Sequence, residues 1–206
     1  LAPFLKARGR LYAAHAPADG TPEQQRARAA FAKKLASDPA HYGRVVLGTL
    51  PTDRFTDIHP PGGADAVLTF RNIHNWIADG HFDETLRAFF DVLKPGGVLG
   101  VEEHRALPGT SLARTIDSGY VAQDFVIARA RAAGFVFDGE SEINANPRDT
   151  RDHANGVWAL PPTLRGGEVD RAKYLAIGES DRMTLRFVKP RRGAARAQER
   201  SARADA

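Results

Sequence analysis

The sequence ADAVLTFRNIHNW, residues 64–76, and the sequence LKPGGVLGVEEH, residues 93–104, decide how the rest of the chain is interpreted. ADAVLTF follows the turn-forming PPGG and is mostly apolar, which predicts a buried strand. Apolar residues then recur at helical spacing from residue 86 to residue 93, and the helix is predicted to stop within LKPGG. Residues 98–104 predict the next strand. The stretch is therefore predicted to form a strand–helix–strand unit.

Strands and helices continue to alternate on both sides of this unit. The sequence TPEQ, residues 21–24, combines an N-cap threonine, a proline at the first helical position and a capping-box glutamine, which predicts a helix start. Further strands are predicted at residues 10–16, 44–50, 135–137 and 183–188. Such alternation is typical of an α/β fold, with a doubly wound, mostly parallel sheet covered by helices on both faces.

Composition narrows the class of protein. The 206 residues are 42% hydrophobic and 26% charged, without an apolar run long enough for a membrane span, which favours a globular protein. The absence of cysteine excludes disulfides, thiolate metal sites and a cysteine nucleophile. We expect one substantial domain over residues 1–190, in which residues 144–180 lack periodicity and predict a lid or insertion.

The two ends of the chain carry separate expectations. The segment after Pro190 has five arginines against Glu199 and Asp205, which is +3 of the total net charge of +4. Residues 191–206 are therefore predicted to be a basic, flexible tail, and its lack of aromatic residues argues against nucleic-acid binding. The opening LAPFLKARG shows no signal-peptide pattern, which favours the cytoplasm; without an initiating Met, an exported form stays open.

The quoted segments also carry a family resemblance. ADAVLTFRNIHNW, the helix ending in LKPGG, and VLGVEEHRALPG are similar to the fourth strand, following helix and fifth strand of class I S-adenosylmethionine (SAM)-dependent methyltransferases. The later segments AAGF, NPRD and SDRMTLRFVKP resemble a bacterial family of predicted methyltransferases of small-molecule type. The resemblance covers residues 1–190 and implies a Rossmann-like sheet of strand order 3-2-1-4-5-7-6, with the last strand antiparallel.

One departure from the family pattern concerns the glycine-rich loop that holds the methionine end of SAM. The sequence contains 19 glycines but no G-x-G, although only glycine permits close backbone approach to the ligand. Under the resemblance, LAPFLKARG aligns with the end of the helix after that loop. We therefore expect the first strand and the loop to lie upstream of Leu1.

The resemblance implies cofactor contacts where the predicted strands end. Family members place an acidic residue after the second strand to bind the ribose; here that place is near His15, with Asp19 a few residues on. The alternative for His15 is an ordinary surface histidine. Gly48, Thr49 and Leu50 follow the third strand, where adenine would lie, although an ordinary strand exit explains them equally well.

The segment RNIHNW combines four polar side chains with an indole. The resemblance places it beside the methionine end of SAM and the substrate entrance, so that Arg71 and Asn72 are candidate cofactor contacts. His74 is a candidate proton acceptor, because imidazole changes protonation near physiological pH; its alternative is a bond to a nearby backbone group. Trp76 is interpreted as a packing residue rather than a cation–π partner of the sulfonium.

Three polar residues end the fifth predicted strand. Glu102, Glu103 and His104 stand in a row, and strand alternation puts Glu103 on the face opposite the other two. A Glu–His pair can act as an oriented base, so Glu103 and His104 join His74 as catalytic candidates. The same residues with His153 could instead hold Zn²⁺ or Fe²⁺, but we predict no metal site.

The resemblance implies methyl transfer from SAM to a small-molecule acceptor. The strand at residues 64–70 is expected to lie centrally, with His74 beside Glu103. Asp152–His153 and Asp181–Arg182 are interpreted as structural pairs. A non-catalytic Rossmann-like binding protein is the first alternative; a nicotinamide-dependent oxidoreductase is the second and would need a glycine loop of its own.

Overall fold

A computed structural model describes residues 1–5, 7–50 and 60–191 of the chain. These residues form two compact units, one spanning Leu1–Ala64 and one beginning at Asp65. In the described part, none of the helices is long and apolar enough to cross a bilayer. Apart from Arg191, the predicted basic tail lies outside the described residues.

The first unit pairs two short parallel strands. Its elements are α1 (Ala2–Leu5), β1 (Tyr12–His15), α2 (Pro22–Ala36), α3 (Pro39–Tyr42) and β2 (Val46–Thr49). Tyr12 pairs with Val46, and the register ends with His15 opposite Thr49. Because parallel neighbours need a crossover, α2 and α3 fill the connection between the two strands, as the alternation predicted.

The start of α2 confirms the predicted capping box. The Thr21 hydroxyl accepts a hydrogen bond from the backbone N–H of Gln24, and the Gln24 side chain accepts one from the backbone N–H of Thr21. Two donors at the helix start, which have no partner within the helix, are thereby satisfied.

The second unit is built on a four-stranded sheet. Its elements are β3 (Ala64–Phe70), α4 (Ile73–Ala78), α5 (Phe82–Val92), β4 (Leu93–His104), α6 (Leu112–Ser118), α7 (Gln123–Ala132), β5 (Val136–Ser141), a 3₁₀ helix (Gly156–Ala159), α8 (Arg171–Ile177) and β6 (Arg182–Val188). The strand order is β3-β4-β6-β5, and β6 is antiparallel to both of its neighbours. This is the implied order 4-5-7-6 with the antiparallel last strand, so the predicted fold class is confirmed.

The expectation of a central strand at residues 64–70 is wrong for this sheet. The strand β3 stands at one end of the four-strand order, next to β4. Its side chains Leu68 and Phe70 accordingly stay half exposed, at 46% and 50%. The four strands of this sheet correspond to strands 4 to 7 of the implied order.

The LKPGG segment belongs to β4 rather than to a separate turn. Helix α5 ends at Val92, and the next residue already starts β4. Gly96 adopts φ +86°, a conformation that favours glycine, and its N–H donates to the carbonyl of Lys189 at 2.7 Å. The Lys189 ammonium donates to the carbonyls of Phe90 and Leu93 at 2.6 and 2.8 Å, which satisfies the end of α5.

The core of the second unit lies between α5 and the sheet. The apolar face of α5 and the central strands supply its fully buried side chains, which include Leu86, Phe89, Leu99, Met183 and Phe187. This burial explains why apolar residues recur at helical spacing in α5 and why β6 alternates buried and more exposed positions.

Residues 144–180, predicted to be a lid or insertion, are folded and contain a small core of their own. Ala159, Leu160, Tyr174 and Ile177 pack together between the 3₁₀ helix and α8. Gly156 anchors the segment to α6, because it has φ +57° and a Cβ there would lie 2.3 Å from the carbonyl oxygen of Ser118. Only glycine fits this approach, so the segment is held against the unit.

Candidate active site

A buried histidine–glutamate pair stands where β3 and β4 end. Glu103 at the end of β4 is 0% exposed, and its Oε1 lies 3.0 Å from Nδ1 of His74 in the first turn of α4. Oε1 also accepts the backbone N–H of His104, while Oε2 accepts those of Ile73 and His74. Four N–H groups therefore hold the carboxylate in one position.

This arrangement fixes the tautomer of His74. A carboxylate only accepts hydrogen bonds, so Nδ1 of His74 carries the proton and Nε2 is left as the acceptor. His74 is 8% exposed, and the small accessible part lines a cavity. An imidazole held by a carboxylate in this way is arranged as a general base. The structure thus pairs Glu103 with His74, not with the neighbouring His104.

His104 forms a second polar pair beside the first. Its ring centroid lies 5.3 Å from that of His74, and its Nδ1 shares a 2.6 Å hydrogen bond with the hydroxyl of Ser180. Burial lowers the pKa of His104 to about 3, and the nearby charges of His74, Arg71 and Arg182 act in the same direction. His104 is therefore a neutral imidazole at physiological pH.

The lowered pKa of His104 predicts a specific loss of stability in acid. In the unfolded chain His104 is protonated below its ordinary pKa of 6.5. In the folded chain it stays neutral until the pH falls to about 3. The free energy of unfolding should therefore fall by up to about 1.4 kcal/mol per pH unit between these values because of this one group. His104→Asn should remove that contribution and flatten the acid side of the profile, measured by urea denaturation from pH 7 to about pH 4.

The control for this prediction is His81→Asn, which replaces the histidine before α5 whose side chain makes no capping hydrogen bond. Its stability profile should keep the slope of the wild-type chain. Parallel profiles for the wild-type chain and His104→Asn would contradict the prediction.

The cavity beside the two histidines has a volume of about 290 Å³. Its lining is partly polar and partly apolar, and the lining residues are Phe70, Arg71, His74, His104, Val157, Trp158, Pro161, Pro162, Thr163, Glu179, Ser180 and Arg182. The insertion supplies most of the apolar wall. The cavity is small for a ligand site, and it suits a compact organic molecule.

Charged residues at the cavity pair with one another. Arg182 Nε lies 2.9 Å from Oε1 of Glu102, and its Nη2 contacts Glu179. Arg71 Nε lies 4.0 Å from Oε2 of the same Glu102. Burial raises the pKa of Glu102, and the charges of Arg182 and Arg71 oppose that shift.

The candidate cofactor contacts of the second unit lie at the same end of β3. Arg71 has φ +54°, and its backbone N–H donates to the carbonyl of Glu102 at 2.8 Å. Asn72 precedes α4 without a side-chain cap hydrogen bond and is exposed. Trp76 packs edge to face on Phe89, with ring centroids 5.5 Å apart, as its interpretation as a packing residue implies.

The candidates of the first unit gather where β1 and β2 end. His15 lies opposite Thr49 in the parallel register, and the backbone N–H of Leu50 donates to the carbonyl of His15 at 3.0 Å. Gly48 is buried within β2. Asp19, in contrast, lies in an exposed turn four residues beyond β1.

His15 is held by its neighbours. Its Nδ1 accepts the backbone N–H of Ala16 at 2.9 Å, and its ring stacks on Phe31 at 5.7 Å. Burial lowers the pKa of His15, and the charge of Arg28 adds to the shift. The Arg28 guanidinium donates to the carbonyls of Ala16 and Gly48, which ties the two strand ends together. With Nδ1 accepting, Nε2 of His15 carries the proton as a donor.

Two sequence-based pairings are wrong. His153 bonds through Nε2 to Asp149 at 2.8 Å, whereas Asp152 accepts a hydrogen bond from the hydroxyl of Thr150. Asp181 pairs with Arg105 and Arg151, while Arg182 pairs with Glu102 and Glu179. Adjacent residues of an extended strand point to opposite faces, so Asp181 and Arg182 have separate partners.

The metal alternative also changes. Ligand atoms of His74, Glu103 and His104 lie within 4.8 Å of one another, and His153 is not part of that group among the described residues. Four N–H groups already donate hydrogen bonds to the oxygens of Glu103. These bonds compensate the buried carboxylate without a metal ion. We retain the prediction of no metal.

Sequence reasoning missed Ser180 and Trp158 as site residues. Ser180 stands just before β6, and β6 runs antiparallel to β4 with Arg182 opposite His104. An antiparallel last strand necessarily starts at the carboxyl end of β4, which is the signal that points to Ser180. Trp158 lies in the aperiodic insertion, where no local pattern marks it.

Comparisons with known proteins agree with the fold. No protein-family model and no curated protein matches the chain. Among solved structures, the chain is similar to the [4+2]-cyclase SpnF, at 17% identity over 91% of this chain and 77% of that one, with a TM-score of 0.55. It is also similar to the glycopeptide N-methyltransferase MtfA, solved with S-adenosyl-L-homocysteine, at 15% identity over 91% and 75%, with a TM-score of 0.54.

A third similar structure is the SAM-dependent methyltransferase SibL in its apo form, at 17% identity and a TM-score of 0.51. The match covers 89% of this chain and 44% of SibL. Together with the strand order, these likenesses show that the chain has the fold of class I SAM-dependent methyltransferases.

Proposed function

We propose that this protein transfers a methyl group from SAM to a small molecule bound in the cavity beside His74. The observation that carries the proposal is the His74–Glu103 pair, an oriented base that faces a 290 Å³ cavity where β3 and β4 end. In open α/β sheets ligands bind at this end of the strands.

Methyl transfer from SAM requires few catalytic groups from the protein. SAM supplies a methyl group activated by its sulfonium. The chain has to align the acceptor, exclude water and remove a proton from an O–H or N–H acceptor. Nε2 of His74 takes that proton, and Glu103 positions the ring and stabilises the protonated imidazole. Ser180 and the neutral His104 offer further hydrogen bonds to the acceptor from the cavity wall.

We assign the candidate residues at the strand ends to parts of the cofactor, separately for each unit. The imidazole of His15 and the hydroxyl of Thr49 suit a ribose, and the backbone of Gly48 and Leu50 suits an adenine edge. In the second unit, Arg71 and Asn72 are assigned to the methionine end, because they directly follow β3 at the end of the strand where open α/β sheets bind ligands. Asp19 is retained as a second ribose candidate from its exposed turn.

The test is binding of SAM and S-adenosylhomocysteine to the 206-residue chain by calorimetric titration, with NAD as the comparison ligand. We expect weak but saturable binding of both sulfur compounds, because this sequence contains no G-x-G, and no binding of NAD. His15→Ala should weaken SAM binding, by about tenfold if one charge-free hydrogen bond and its packing are lost. His41→Ala, an exposed histidine in the same unit, is the matched control and should bind SAM like the wild-type chain. Tighter binding of NAD, or no binding of either cofactor, would refute the proposal.

A further inference from the structure

We propose that the acceptor is a phenol or an enol on a compact flat ring, with its hydroxyl at Nε2 of His74 and its ring against Trp158. This proposal rests on the proposed function, because it names the class of molecule that the same site methylates. Three features of the cavity carry it: the type of base, the shape of the apolar wall and the balance of charge.

The base selects for an acidic hydroxyl. Proton transfer is efficient when the acidities of donor and acceptor are not far apart. A phenol such as tyrosine has a pKa of about 10, whereas water has about 16 and aliphatic alcohols are similar to it. An imidazole base can therefore ionise a phenol or enol far more readily than an aliphatic alcohol. In the transfer itself, the O–H bond gives its proton to Nε2 as oxygen bonds to the methyl carbon; the C–S bond breaks, and its electron pair stays on sulfur.

Part of the cavity lining is apolar and partly aromatic. Val157, Trp158, Pro161 and Pro162 of the insertion form one side of it, and Phe70 at the end of β3 adds an aromatic side chain. Side chains of this kind pack well on the face of a ring. A cavity of about 290 Å³ lies near the lower limit of ligand sites, which favours one or two fused rings.

The position of Trp158 links the wall to the base. Its ring lies edge-on to that of His74, with centroids 6.2 Å apart. The guanidinium of Arg165 lies 4.5 Å from the Trp158 centroid and holds the indole in place. A ring that packs on Trp158 therefore has its substituents within reach of His74.

The charged side chains at the cavity form ion pairs with one another, which favours an uncharged acceptor. Arg182 and Arg71 face Glu102, and Glu179 is the second partner of Arg182. Two cations are thus matched by two carboxylates. These four side chains leave no unpaired charge for an anionic or a cationic group of the acceptor. The acceptor is therefore recognised through its ring and its hydroxyl.

The experiment uses 4-nitrophenol as the probe, because its ionised form has its own visible absorbance, and it requires no SAM. The 206-residue chain is titrated at a pH at which the free probe is mostly protonated. We expect saturable binding with a rise in phenolate absorbance. His74→Gln should bind the probe without that rise, and 4-nitroanisole, which has no hydroxyl, should show no ionisation and weaker binding.

Two wall variants test the ring contact. Trp158→Ala and Phe70→Ala should each weaken probe binding, Trp158→Ala by about tenfold or more. Phe70 is half exposed on the end strand β3, so its variant should fold even if loss of Trp158 disturbs the insertion. Leu175→Ala, an exposed apolar residue of α8 outside the cavity, is the matched control and should bind the probe like the wild-type chain.

The outcomes separate this inference from the proposed function. Binding of SAM without His74-dependent ionisation of the probe would overturn the phenol or enol acceptor and leave methyl transfer standing. Ionisation that depends on His74 in a chain that binds no SAM would support the phenol site and refute methyl transfer. Equal probe binding by the wild-type chain, Trp158→Ala and Phe70→Ala would overturn the inference.

Discussion

His74→Gln should lower kcat for methyl transfer by about 10²- to 10⁴-fold, the usual contribution of a positioned general base. Glutamine has a similar reach but cannot take a proton from the acceptor. KM for SAM should stay close to that of the wild-type chain, because His74 faces the acceptor cavity. The measurement is transfer of a labelled methyl group from SAM to phenols at saturating concentrations of both.

Two further variants separate chemistry from structure. Glu103→Gln keeps the size of the buried side chain but removes the charge that stabilises the protonated imidazole; it should lower kcat with little change in KM. A merely structural role for Glu103 would instead reduce the amount of active protein and leave kcat per folded molecule unchanged. His41→Gln should retain full activity. An unaltered kcat in His74→Gln would rule out its role as the base.

Asp149→Ala should lower the free energy of unfolding by about 3–5 kcal/mol, the range for breaking a buried charged network by removing one partner. Asp149 is 1% exposed and accepts hydrogen bonds from the Tyr120 hydroxyl, Nε2 of His153 and the backbone N–H groups of Arg151 and Asp181. Truncation would leave all of these donors without that acceptor inside the protein.

The measurement is urea denaturation at neutral pH. Asp117→Ala, an exposed aspartate of α6, is the matched control and should change stability by less than about 0.5 kcal/mol. Tyr120→Phe removes only one donor and should cost about 1 kcal/mol. Burial, with the charge of Asp149, raises the pKa of the Tyr120 hydroxyl. The hydroxyl is therefore protonated at neutral pH and can donate its hydrogen bond. A loss in Asp149→Ala no larger than in Tyr120→Phe would contradict the role of Asp149 as the centre of the network.

Local patterns were sufficient for the start of α2 and for the apolar face of α5. The capping box at Thr21 joins residues three apart, and the apolar face of α5 repeats within one helix. Both patterns therefore depend only on residues close together in the sequence. The strand order came from the family resemblance, because pairing between distant strands leaves no local trace. Within that order the end position of β3 was missed, since its place depends on which strands flank it.

The pairing at the site could be predicted only in part. Position at a strand end singled out His74 and Glu103, and alternation correctly set Glu103 apart from its neighbours in sequence. Its hydrogen bond to His74 joins residues 29 positions apart. It depends on the position of the first turn of α4 next to the end of β4. The geometry of that contact is a product of packing, not of any short motif.

The sequence by itself determined the α/β alternation and the start of α2, since these follow from periodicity and from the chemistry of adjacent residues. Only the tertiary structure decided that residues 144–180 fold into a wall of the cavity. Their contacts run from Asp149 to Tyr120 and Asp181 and from Gly156 to α6, each between residues about 30 to 40 apart. An aperiodic segment buries its side chains against whatever the rest of the fold presents, so its conformation is settled by those distant partners.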